Sequence, residues 1–232
     1  MPNKSPHQLT LGVSLDDDAQ FENFYVTEQN ASLVNALQAE GGDSFLYIWS
    51  RGSAGLSHLL QAACHREAFA GRGAIYIPLA ERDQFAPQML EGAESLALVC
   101  IDDVECIADD SEWESALFTA FNAMQQSGTR LVVASHSPAQ QLNIALPDLL
   151  SRLQSGLLYQ LFDFADEDKL RALQLRARKR GLELSDAVGE FILLRADRNL
   201  TVLMGILDAL DHSSLQQQRK LTVPLVKSTL GW

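Results

Sequence analysis

The chain has 232 residues, 47% of them hydrophobic and 21% charged, enough apolar content for one substantial core and a small second one. This composition excludes a disordered, collagenous or coiled-coil chain. Eighteen Lys and Arg against 30 Asp and Glu leave a net charge of −12, which argues against a protein that grips nucleic acid through its overall field, so any association with DNA is expected to be indirect. No stretch approaches the roughly 20 apolar residues of a membrane span. The N-terminal residues also lack the charged-then-apolar pattern of a secretory signal, so a cytoplasmic protein without a membrane partner is expected. Cys64, Cys100 and Cys106 fall in or beside apolar runs, where thiols serve as small hydrophobes, and neither a disulfide nor a metal site is expected of them.

Charge is unevenly distributed. Residues 1–165 carry 7 basic and 21 acidic side chains, and residues 166–232 carry 11 and 9. Together with the polar run from Asp163 to Asp168, this places a domain boundary at 165/166. Residues 1–20, with Pro2, Pro6 and the triple Asp16, Asp17, Asp18, show little helix or strand pattern and read as an extended tail.

Between residues 21 and 165, short apolar runs recur: Phe45 to Trp49, Ala74 to Ile77, Leu96 to Ile101, Leu131 to Ala134 and Leu157 to Leu161. They predict five buried strands. Leu56, Leu59, Leu60 and Ala63 follow the spacing of one helix face, and strand alternating with helix predicts an α/β fold with a parallel sheet covered on both faces. Residues 166–232 contain helix punctuation only. Asp166, Glu167 and Asp168 suit a helix N-terminus, and Gly181 suits the left-handed residue after a helix ending near Arg180. Ser185, Asn199 and Thr222 with Pro224 open three more helices, giving a small all-helical lid.

Between the first strand and its helix stands Ser50-Arg51-Gly52-Ser53-Ala54-Gly55-Leu56-Ser57, where a phosphate-binding loop belongs. Compared with G-x-x-x-x-G-K-S/T, Gly55 and Ser57 match, Ser50 replaces the first glycine and Leu56 the lysine. A full positive charge is therefore missing where a triphosphate needs one, while diphosphate binding through backbone amides is retained. On its own the loop also reads as a glycine-bearing turn without a ligand. The third strand closes on Asp102 and Asp103, at the edge where parallel sheets bind ligands. These are Walker B positions, with Asp102 (alongside the Ser57 hydroxyl) a candidate magnesium ligand and Asp103 a candidate to polarise a hydrolytic water. The fourth strand delivers Ser135 and His136 to the same edge, as phosphate sensors or as strand-end caps.

These elements in this order resemble the AAA+ family, and within it the bacterial replication initiator DnaA and its shorter relatives, over nearly the whole chain. Phe21-Glu22-Asn23-Phe24-Tyr25 is similar to the phenylalanine-rich box that lies against the base in that family, and Asn30 continues the likeness. Ser57-His58-Leu59-Leu60-Gln61-Ala62 is similar to the family's T-H-L-L-H-A, and Ile101-Asp102-Asp103-Val104 to its I-D-D-I. The resemblance implies a P-loop AAA+ nucleotide-binding domain over 21–165 and a lid over 166–232. It implies nucleotide contacts from Phe24, Tyr25, Gly52, Ser53, Ala54, Gly55, Leu56, Ser57 and His58. Pro147-Asp148-Leu149-Leu150-Ser151-Arg152-Leu153 resembles the segment whose arginine, here Arg152, is the finger inserted into a neighbouring subunit's site. Thr201 stands where the family's second sensor carries an arginine, and Arg198 lies one helical turn earlier. With both cis cations replaced, the chain is expected to hold ADP or another nucleoside diphosphate, with magnesium as a further candidate, and to have little ATPase activity of its own.

Gln8-Leu9-Thr10-Leu11-Gly12-Val13 resembles the peptide through which bacterial proteins dock on the replicative sliding clamp, the polymerase III beta subunit, an extended-peptide mode suited to a flexible end. The chain stops at Trp232, directly after the lid's last helix, so sequence-specific DNA binding is not expected. The resemblance as a whole implies a negative regulator of replication initiation. With the DNA-loaded clamp it would promote hydrolysis of ATP held by DnaA, supplying Arg152 in trans, and a homo-oligomer is implied by the family's habit of sharing sites between subunits. A self-sufficient P-loop ATPase and a clamp-docked adaptor with a dead nucleotide fold are the alternatives.

Overall fold

The computed structural model describes residues 15–52, 54–217 and 220–232. The clamp-peptide positions Gln8, Leu9, Thr10 and Leu11, and Ser53 of the phosphate loop, lie outside the described residues.

Five strands, β1 (Phe45–Trp49), β2 (Ala74–Pro78), β3 (Leu98–Asp102), β4 (Arg130–Ser135) and β5 (Leu157–Gln160), form one sheet in the order β2-β3-β4-β1-β5. Every neighbouring pair is parallel. The near-continuous apolar runs of β1 to β4 follow from this, because a parallel sheet is covered on both faces; β5, expected to be buried, lies at the sheet edge with Leu157 and Leu158 exposed. On one face Leu46, Ile48, Leu98, Cys100, Val132 and Ala134 pack with α1 (Ala31–Gln38) and α2 (Leu56–Phe69). On the other, Tyr47, Val99, Ile101, Leu131 and Val133 pack with α3 (Ser111–Ser127) and with Leu149 and Leu153 of α4 (Pro147–Gln154). Cys64 and Cys100 are buried free thiols of the first cluster.

The chain continues as four helices, α5 (Asp166–Lys179), α6 (Asp186–Leu193), α7 (Leu200–Gln217) and α8 (Val223–Leu230). They enclose a third cluster that includes Leu173, Ile192, Leu203, Leu207 and Val226. Gly181 takes φ +76° after α5, the left-handed conformation glycine adopts without steric cost. Asn199 Oδ1 accepts the N–H of Thr201 at the start of α7 (2.8 Å), and Thr222 Oγ1 that of Leu225 in α8 (3.4 Å). Ser185 occupies the cap position of α6 without a side-chain cap bond.

Residues 15–20 do not continue the extended tail expected from the sequence. Ala19 is buried, Asp16 donates its N–H to Gln61 Oε1 (2.8 Å), and ring nitrogens of His58 and His65 lie 2.9 and 3.0 Å from the carbonyl oxygens of Gln20 and Asp16. Arg176 of α5 and Arg180, the residue that caps its end, complete the attachment, donating to the Asp18 carbonyl (2.6 Å) and carboxylate (2.7 Å). In sequence the acidic triplet reads as part of an extended tail because the cations that face Asp18 are some 160 positions away.

Candidate nucleotide-binding groove

Strand ends β1, β3 and β4 open on one edge of the sheet, and the loops that follow them meet the lid and residues 16–25 around a groove of about 450 Å³. The loop after β1 begins at Ser50, whose N–H donates to the Ser135 carbonyl (3.1 Å) and whose hydroxyl donates to the Gly52 carbonyl (3.2 Å). Gly55 turns the chain into α2 at φ +90°, and an added Cβ there would sit 3.1 Å from the Phe24 ring. The conformation and the close approach both require glycine. The exposed N–H groups of the first turn of α2, with its dipole, make this a fitting end for an anion.

Of the residues expected at a nucleotide, Phe24, Tyr25, Gly52, Gly55, Leu56, Ser57 and His58 line the groove together with Asp103 and His136. Ala54 and Arg198 do not; they line a neighbouring hollow with Gly52 and Asp163, and Arg198 donates to Asp166 at 2.6 Å. Arg198 thus pairs within the lid and does not line the groove, while Thr201 is exposed on the groove wall. Asp102 and Ser135 reach the right sheet edge but are 1% exposed and lie behind the wall. Ser135 Oγ accepts the N–H of Ser137 (3.1 Å), a strand-end cap.

Asn23 and Gln61 of the two quoted motifs also line the groove, and it recruits residues that sequence motifs did not single out: Asp16, Ala19, Phe164, Ala172, Arg176, Leu200 and Met204. Phe164 packs against both Phe24 and Tyr25, with ring centroids 5.8 and 6.1 Å apart. Among the described lining residues Arg176 is the one arginine or lysine, and it is tied to the Asp18 carbonyl. Burial holds the His58 imidazole below its ordinary range, so the ring facing the groove is neutral near pH 7.

A magnesium ion expected on Ser57 and Asp102 does not fit these residues as a pair. Ser57 is exposed in the groove, but Asp102 Oδ2 accepts the Tyr76 hydroxyl (2.8 Å) and Oδ1 the Asp103 N–H (3.1 Å). At 1% exposure Asp102 does not open on the groove. The carboxylate that does reach the groove is Asp103, whose residue takes φ +55°. Its carboxyl is pushed up to about 6 by burial and by the negative charges of Asp102 and Glu105.

Arg152 stands apart. Leu149 and Leu153 bury one side of α4, and Arg152, half-buried at the flank of that side, does not line the groove. Among the described residues its guanidinium has no ion-pair or hydrogen-bond partner. The entry to α4 is held by Glu114, a buried carboxylate of α3 that accepts the N–H groups of Asp109 (3.1 Å), Ala145 (3.0 Å) and Leu146 (2.7 Å).

Comparison with known proteins decides the family. The family model of the bacterial DnaA ATPase domain matches residues 15–160. The chain belongs to that family. Residues 166–230 match a second model, described as the Hda lid domain, so the chain is an Hda- and DnaA-related AAA+ protein. Domain III of the Thermotoga maritima replication initiation protein DnaA superposes with a TM-score of 0.79 at 23% identity, covering 94% of this chain and 98% of that one. AMPPCP-bound DnaA from Aquifex aeolicus gives 0.70 at 22%, covering 87% and 68%. The Thermotoga maritima RuvB Holliday junction branch migration motor gives 0.65 at 15%, covering 92% and 71%. At these identities the structural likeness establishes the fold: the five-stranded parallel AAA+ sheet followed by a helical lid. Among the described residues no helix is long and apolar enough to cross a membrane.

Proposed function

We propose that this DnaA-family chain binds a nucleoside diphosphate in the groove and acts on a second, ATP-bound protein, the initiator DnaA, by lending it Arg152. The observation that carries this reading is the placement of cations. Leu56 and Thr201 occupy the positions where this family's phosphates meet a lysine and an arginine, and Arg198 is held by Asp166. An arginine without a partner among the described residues stands on the flank of α4, outside the groove. A chain so built is poor at stabilising charge developing on its own nucleotide, whereas a guanidinium supplied to a neighbour's γ-phosphate accelerates transfer by about 10³ to 10⁵.

In this mechanism the phosphate-loop amides hold the diphosphate, the Phe24, Tyr25 and Phe164 cluster encloses the base, and the lid closes the groove through α5 and α7. Occupancy favours the closed arrangement by ordinary linkage, and so the presentation of α4. Docking on the sliding clamp through Gln8, Leu9, Thr10 and Leu11 would bring Arg152 to initiator on DNA, with self-association as a further part of the reading. Nucleotide binding by AMPPCP-bound DnaA, of the same fold, supports the groove assignment.

The test is hydrolysis of labelled ATP pre-bound to DnaA, with clamp-loaded DNA and this chain as wild type, Arg152→Ala or Arg152→Lys. Stimulation by wild type that falls at least about 100-fold in both variants is expected, because lysine lacks the planar fork of donors. Stimulation that survives Arg152→Ala would refute the finger, and turnover by the chain alone would favour a self-sufficient ATPase.

A further inference from the structure

Asp103, Glu105 and His136 lie where the loops after β3 and β4 meet, and one ligand atom from each lies within 4.8 Å of the other two. Asp103 Oδ1 is 3.4 Å from His136 Nε2. Glu105 uses Oε1 to accept the backbone N–H of His136 (2.9 Å), while its Oε2 is buried with no hydrogen-bond partner. A carboxylate oxygen shut away from water without a donor is costly, the more so beside a second carboxylate. A cation placed between these atoms would relieve that cost.

From this geometry we propose that Asp103, Glu105 and His136 form a binding site for a first-row divalent transition ion, of the zinc or manganese class, separate from the Ser57 and Asp102 pair from which a magnesium site was expected. Two carboxylates and an imidazole suit such an ion, and neighbouring ligand atoms around tetrahedral zinc stand roughly 3.3 Å apart. The Asp103–His136 pair already has that separation. The imidazole distinguishes the site from an acidic patch, since magnesium gains little from nitrogen.

Asp103 and His136 line the groove, so an ion held by them brings positive charge to a wall that Leu56 and Thr201 leave uncharged. It also occupies the carboxylate that would otherwise polarise a hydrolytic water. The metal site stands without the nucleotide reading, and the experiment therefore uses nucleotide-free protein.

The metal-free full chain is titrated with manganese at pH 7.5, free ion being read by electron paramagnetic resonance, with zinc and magnesium as competitors. The expected result is one manganese per chain, displaced by zinc and not by equimolar magnesium. Binding should weaken at least about tenfold in His136→Ala and in Glu105→Gln and be unchanged in Asp83→Asn, an exposed carboxylate elsewhere. His136 is itself exposed, so its variant is expected to keep the fold, and circular dichroism melting checks this. Absence of manganese and zinc binding, displacement by magnesium as readily as by zinc, or equal affinity in both site variants would each overturn the assignment.

Discussion

Replacing Glu114 by alanine separates the scaffold of Arg152 from its chemistry. The Glu114 side chain is 2% exposed and accepts three backbone N–H groups at 2.7–3.1 Å, from Asp109, Ala145 and Leu146. Leu146 is the residue that caps α4. Hydrogen bonds to a charged acceptor contribute roughly 1.5–3 kcal/mol each, and part is recovered when water enters the vacated space. A net loss of about 3 kcal/mol is expected for Glu114→Ala, which for a domain of this size lowers Tm by about 9 °C. Glu114→Gln keeps the shape and can accept two of the three donors, its amide facing the third, so a loss of about 1–2 kcal/mol is expected. Arg152→Ala, at a half-buried position with no bonded guanidinium among the described residues, should change Tm by less than about 2 °C. Thermal melting by circular dichroism and urea titration read these values directly. A Glu114→Ala protein as stable as wild type, or one less affected than Glu114→Gln, would refute the view that this carboxylate holds α4.

The pH dependence of stability reports His58. Burial lowers its pKa from 6.5, so below pH 6.5 the unfolded chain takes up a proton that the folded chain refuses. The stability present above pH 6.5 is therefore lost as the pH falls from there through the folded pKa. A Tm that declines more steeply between pH 6.5 and 5 in wild type than in His58→Gln is expected, and parallel curves would contradict it. Gly55→Ala forces a methyl-bearing residue to φ +90° with its Cβ 3.1 Å from the Phe24 ring; a cost of about 1–2 kcal/mol and weakened ADP binding in calorimetry are expected. Retained affinity would mean that the loop turns elsewhere.

Strands β1 to β4 and the alternation of strand and helix were readable because a parallel sheet buried on both faces needs continuous apolar runs, and Phe45–Trp49 is the clearest of them; β5 was placed by the same kind of run, but at the sheet edge its Leu157 and Leu158 are exposed. Local chemistry likewise announced the glycine after α5, the Thr222 cap and the phosphate loop with its missing lysine. The groove was only partly readable: Gly55, Ser57 and Asp103 are carried by motifs, whereas Phe164, following β5, meets Phe24 only through the folded sheet, and Arg176 reaches Asp16 only when the lid docks.

Two carboxylates adjacent in sequence ended in opposite environments, Asp102 behind the wall under the Tyr76 hydroxyl and Asp103 in the groove beside His136. No pattern in the sequence separates them, since both follow the same apolar strand. The same holds for Asp16 to Asp18, which is a repulsive cluster in the chain and an anchored segment under Arg176 and Arg180. Sequence alone determined the order of elements, because periodicity, caps and glycine conformation act within a few residues. Tertiary structure alone decided which charges meet and which are buried, because Coulomb attraction and desolvation depend on separation in space, and chain order leaves that separation open.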